Sequence, residues 1–270
     1  MPAIQPDRLK AQVSLIGDDF MQPARYVGRL HDLLDFYADR IRRPGQLGSR
    51  VPILPHYNTP IPVIREVQRS LAVQANAAGP DAALSLVDAL WADGSYEMRI
   101  IAAFLVSRSA LTPGMLAQRL SEWIQPNQDF QIVTNLLESG YAGLGPAHPE
   151  IWIDLIRYWL STDRGGMQSV ALQATSLVVR DPSFENIPPI FTLLTPVIQS
   201  APVALHTELT NLVQQLAMRN PTETAFFLRK ALSVSPDRSI TRLVRRCLPF
   251  FDPPIQQTLR EALAARLALG

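Results

Sequence analysis

The chain has 270 residues, 47% hydrophobic and 18% charged, enough apolar side chain for a sizeable core; disorder, a collagen helix and a disulfide scaffold are excluded. Lys and Arg number 25 and Asp and Glu 24, for a formal net charge of +1, which excludes a uniformly basic nucleic-acid coat. Only Lys10 and Lys230 among the cations are lysines. Read for period, the sequence gives amphipathic helical stretches and almost no strand-like alternation. In chain order, helices are expected over 6–16, 23–41, 61–77, 80–92, 95–108, 113–125, 128–139, 148–161, 166–180, 186–200, 203–219, 222–233, 237–249 and 253–268. Proline repeatedly stands near a helix start, where its missing N–H costs nothing. The cluster Gly140, Gly143 and Gly145 reads as a helix-terminating turn. Residues 42–60 form the one long irregular stretch, a connector that carries Arg42, Arg43 and Arg50.

From residue 61 the helices follow in pairs at roughly the forty-residue pitch of HEAT-like repeats. A two-helix unit cannot bury its apolar stripe alone, and stacked neighbours build a continuous core. The expected fold is all-α, a HEAT-like, armadillo-like helical-repeat α-solenoid, with an irregular helical bundle as the alternative. One domain over 1–270 is expected: an N-terminal helical pair at 1–41, the connector at 42–60 and repeats over 61–270.

Chemistry with a strong sequence signature is missing. Asp7, Arg8, Lys10, Asp18 and Asp19 interrupt the N-terminus, unlike a signal peptide, and no run of about 18 apolar residues suits a membrane span. A cytoplasmic protein with no membrane partner is expected. Cys247 stands alone and reads as a small core hydrophobe, although Arg245 and Arg246 precede it. His31, His56, His148 and His206 have no metal-ligand spacing, so no metal is expected. The glycine cluster has the wrong order for a dinucleotide fingerprint, and neither a phosphate-binding loop nor a nucleophile elbow occurs. No cofactor is expected.

Charge is unevenly distributed. Residues 1–50 hold eight cations and six anions, residues 51–200 eight and thirteen, and residues 201–270 nine and five. The C-terminal excess centres on Arg238, Arg242 and Arg245, spaced to share a helix face, with Arg246 beside it. Such a stripe suits phosphate contacts, with the bidentate geometry that Arg allows. It equally fits a solvated face with Asp237 and Glu261 as ion-pair partners. Trp152 and Trp159, seven apart with Tyr158 between them, are either a core stripe or rings lining a concave face. Trp91 and Trp123, at helix ends, are expected to lock neighbouring repeats.

Two stretches carry a resemblance. Thr59-Pro60-Ile61-Pro62-Val63-Ile64-Arg65 opens a helix, and Leu90-Trp91 is followed by Tyr96-Glu97-Met98-Arg99 and Ala102-Ala103. Both resemble motifs of the DNA alkylation repair family, the DNA glycosylases built from HEAT-like repeats, over about 55–140. Within the motifs, Glu97 and Arg99 look like inter-helix or capping residues and Trp91 like a packing ring. The resemblance implies a cationic concave surface that holds duplex DNA and releases N3- or N7-alkylated purines. It also implies a carboxylate that stabilises the positive charge developing on the deoxyribose, and an Arg and tryptophans that hold the backbone and the sugar.

At the matching positions, Phe130 stands for the expected Trp, Thr134 for the Asp and Ser169 for the Arg. Neither Thr134 nor Ser169 carries a charge. Arg164 is the nearest replacement for the Arg, and Glu138 and Asp129 are the substitute carboxylates. The leading expectation is a non-catalytic or weakly catalytic DNA-binding member, with Arg164, Arg238, Arg242, Arg245 and Arg246 on phosphates and Trp152 and Trp159 as aromatic lining. A protein-interaction scaffold with a protein partner, or an active glycosylase using Glu138 or Asp129, are the alternatives.

Overall fold

The computed structural model describes residues 4–39, 52–109, 111–126, 128–162, 165–235 and 237–268, with the backbone alone at 80, 267 and 268. Arg42, Arg43, Arg50 and Arg164 lie outside the described residues. The elements are α1 (Pro6–Gly17), α2 (Pro23–Tyr37), α3 (Ile61–Ala78), α4 (Pro80–Asp93), α5 (Tyr96–Val106), α6 (Pro113–Trp123), α7 (Phe130–Leu144), α8 (Pro149–Ser161), α9 (Met167–Arg180), α10 (Pro188–Ser200), α11 (His206–Arg219), α12 (Pro221–Val234), α13 (Ser239–Cys247) and α14 (Pro253–Ala268). Short 3₁₀ turns at Val203–Leu205 and Leu248–Phe250 precede α11 and follow α13. No strand occurs among the described residues, so the fold is all-α. Proline takes one of the first two positions in α1, α2, α3, α4, α6, α10 and α12, where its fixed φ favours the helix and no hydrogen bond is lost.

The helices gather into two compact units, Met1–Trp152 and Ile153–Gly270. In the first, α1 packs on α3, α3 on α5 and α5 on α7, while α2 packs on α4. This next-but-one packing, added to contacts between sequential helices, is the arrangement of a helical repeat. Val63, Val67, Leu71 and Ala75 of α3 show how it arises, since apolar residues four apart make one buried stripe. At the edge of this unit Trp91 and Trp123 stack with centroids 4.0 Å apart, and Arg99 and Arg119 lie over their outer faces. The stack ties α4 to α5 and α6.

The second unit repeats the pattern, α9 on α11 and α11 on α13, α10 on α12 and α12 on α14. Its helix ends are joined by arginines. Arg219 donates to the carbonyls of Val179 in the last turn of α9 and of Asp181 and Phe184 beyond it, and Arg266 donates to those of Leu232 in the last turn of α12 and Asp237 beyond it. Carbonyls at a helix C-terminus have no intrahelical partner, and a guanidinium satisfies several at once.

Two helix ends differ from expectation by four or more residues. α2 stops at Tyr37 because Ala38 turns extended (ψ 131°) and the Asp39 amide bonds instead to the Asn58 carbonyl. α7 continues through Gly140 and Gly143 to Leu144, so these glycines do not end the helix. A Cβ on Gly140 would lie 2.4 Å from Leu120 Cδ1, and one on Gly143 2.9 Å from Leu116 Cδ2. Both glycines serve the close approach of α6 and α7.

Candidate functional site

Residues 52–59 form a strap across the first unit, held by two acids. The buried carboxylate of Glu97, at the start of α5, accepts the amides of Tyr57 and Thr59 at 3.1 and 3.2 Å. Asp129, just before α7, accepts those of Ile53 and Leu54. Tyr57 also meets His31 of α2. Its hydroxyl contacts His31 Nδ1, and His31 Nε2 lies 2.6 Å from Asp93 Oδ2. Burial alone would raise the Asp93 carboxyl, but donation from the Ser95 hydroxyl and amide, together with His31, holds it below 3.8. Being ionised it can only accept, so Nε2 carries the proton. Burial, then the nearby Asp93, Asp35, Glu97 and Asp32, push the Tyr57 phenol up, so it stays a neutral donor.

The positions singled out on α7 stand beside this strap. Phe130 is 57% exposed, and the Thr134 hydroxyl donates to the Phe130 carbonyl at 2.9 Å. Glu138 is exposed one turn further on, whereas the carboxylate of Asp129 is engaged with strap amides. In the second unit Ser169 donates to Glu208 Oε1 at 3.0 Å, which puts an acid at the position where the resemblance implied a cation. Trp152 and Trp159 are both fully buried, and Tyr141 packs edge-on against Trp152. The exposed ring of α8 is Tyr158.

Arg238, Arg242 and Arg245 all project from α13 or its N-terminal edge into one groove, which α12 and α14 complete. The groove is open to solvent, with a volume of about 1110 Å³, and Arg229, Lys230 and Arg266 add three more cations. No carboxylate is among its lining residues. Asp237, the nearest acid in sequence, uses Oδ1 to accept the Ser239 amide at the start of α13. Arg246 is exposed but does not line the groove. Next to it Cys247 is buried, and that burial, only partly offset by Arg246, pushes its thiol up to about 12. Such a thiol is neither nucleophile nor ligand near neutral pH.

The family of DNA alkylation repair enzymes matches residues 54–246, about seven-tenths of the chain. The chain belongs to that family. The match begins in the strap at Leu54, covers Phe130, Thr134 and Ser169, and ends at Arg246 of α13. No curated protein and no solved structure matches the chain.

In this DNA alkylation repair family member, the arginine stripe was readable from helical spacing. Its partners on α12 and α14 were not, since only packing brings Arg229, Lys230 and Arg266 to it. The link among His31, Asp93 and Tyr57 likewise spans 62 residues from His31 to Asp93. Among the described residues no group of three or more His, Cys, Asp or Glu is placed to hold a metal ion. No described helix is long and apolar enough to cross a membrane.

Proposed function

We propose that this chain is a DNA-binding member of the DNA alkylation repair family with little or no glycosylase chemistry. Phosphates are held by the α13 arginines Arg238, Arg242, Arg245 and Arg246. The observation that carries the reading is charge placement. The exposed guanidinium groups of Arg238, Arg242 and Arg245 line a groove with no carboxylate, while the two positions expected to be charged for base excision are the neutral Thr134 and Ser169. Base excision needs a fixed negative charge against the cationic sugar. Thr134 offers a hydroxyl already bonded to its own helix, and Asp129 is engaged with the strap. Phosphate contacts fix a protein on DNA without reading sequence, so binding is expected to be largely sequence-independent.

The test is binding of a short duplex across a salt series, with methylated DNA included so that base release is read from the same samples. Log K is expected to fall linearly with log salt, with a shallower slope in Arg242→Ala/Arg245→Ala, and no 7-methylguanine is released. Release that disappears in Glu138→Gln would establish a glycosylase with a substitute carboxylate. A protein-interaction scaffold is the second reading, favoured by the adjoining exposed side chains of Ile53 (74%) and Phe130 (57%). It predicts no DNA affinity at moderate salt.

A further inference from the structure

The groove between α12, α13 and α14 has features that a surface meant only for the outside of a duplex would not need. We infer that it binds single-stranded nucleic acid, with Phe226 as a stacking platform for a base and the groove cations as phosphate contacts. The inference rests on the reading of α13 as a phosphate-binding helix, and adds to it the strand state of the ligand and a contact to bases.

Size is the first argument. An open concave space of about 1110 Å³ bordered by three helices is on the scale of a ligand site, so it has room for a few unpaired nucleotides.

The aromatic ring is the second argument. Phe226 lines the groove and is 65% exposed, with no ring or guanidinium packed on it among the described residues. Exposing a large apolar face among cations costs hydration free energy with no return in the fold. A nucleobase laid on the ring would recover that burial. Phenylalanine has no hydrogen-bonding group, so it accepts any base, and a charged channel with an aromatic platform is the general solution for single strands.

The floor is the third argument. Ala262 and Ala265 line the groove from α14, and their small side chains leave room for a ribose or a base. Thr241 lines it from α13 and brings a hydroxyl to the groove. A hydroxyl at that place can donate to a phosphate oxygen or a base edge. Arg266 is already fixed by the carbonyls of Leu232 and Asp237, at 2.5 and 3.0 Å, so it presents its charge with little ordering left to do.

The experiment measures fluorescence anisotropy of the full chain with labelled oligothymidylate, oligouridylate and a short duplex at equal salt, with inorganic polyphosphate as competitor. One or both single strands are expected to bind more tightly than the duplex. Phe226→Ala should weaken single-strand binding about five- to a hundredfold, the range of one base–aromatic stack, and leave duplex binding within about twofold. Phe226→Trp should retain or strengthen it. Duplex binding equal to or tighter than single-strand binding, together with an inert Phe226→Ala, overturns the groove assignment while the phosphate-binding reading stands. Competition by polyphosphate that is unaffected by base content and by Phe226 also overturns it, leaving a general anion site. Binding of none of the probes overturns both readings.

Discussion

Glu97 and Asp129 each spend a carboxylate on the backbone of the strap, and this decides how the residues beside them can be used. A carboxylate that accepts backbone amides is well satisfied where it stands, and moving it to face a cationic sugar would leave those amides unpaired. The sequence motif around Tyr96 to Arg99 is structural in this sense, since Glu97 holds the strap and Arg99 covers Trp91. Cys247 makes the same point for the thiol. The two preceding arginines suggest activation, but burial dominates and lifts it from 9.0 to about 12. The neutral thiol is the favoured form in the folded chain, so stability is unaffected below pH 9 and declines as pH rises from 9 towards 12, where only the unfolded chain ionises freely. Iodoacetamide at pH 8 is expected to label Cys247 slowly in the native protein and rapidly in guanidinium. Equal rates would show that the thiol is exposed.

Helix placement was readable because proline marks the starts and the apolar period marks the buried faces. The misread end of α7 shows the limit of such punctuation. Glycine signals a helix end when the chain must enter the left-handed region, as at Gly94, with φ 86° after α4. Gly140 carries the same letter for a steric reason supplied by Leu120 of another helix, and no local pattern distinguishes the two cases. Their energetics differ in sign from ordinary helix positions. Gly140→Ala gains helix propensity but forces a methyl against a fully buried leucine, so it is expected to destabilise by about 1–3 kcal/mol. Gly28→Ala, in α2 with nothing within 4 Å of the new methyl, is expected to stabilise by up to about 1 kcal/mol. Urea denaturation of the two variants checks both signs, and a stabilised Gly140→Ala would mean that α6 and α7 are not closely packed there.

A net charge of +1 conceals the feature on which the functional reading depends, because cations and anions are sorted along the chain rather than mixed. Family membership was legible from two short helical motifs. The groove was not. Its cations come from three helices between Arg229 and Arg266, and only the packing of α12 on α13 and α14 makes them neighbours. The composition of that cluster makes its own prediction. Five of the six groove cations are arginines, Lys230 is the sixth, and none of the four histidines lines it. Arginine keeps its charge far above neutral pH, and lysine loses its own only near about 10. Binding of nucleic acid at constant ionic strength is therefore expected to be flat between about pH 6 and 9, where a footprint built on histidine would weaken as pH rises through about 6.5. Anisotropy titrations across that range decide the matter. A loss of affinity as pH rises through the histidine range would place the phosphate contacts away from α13.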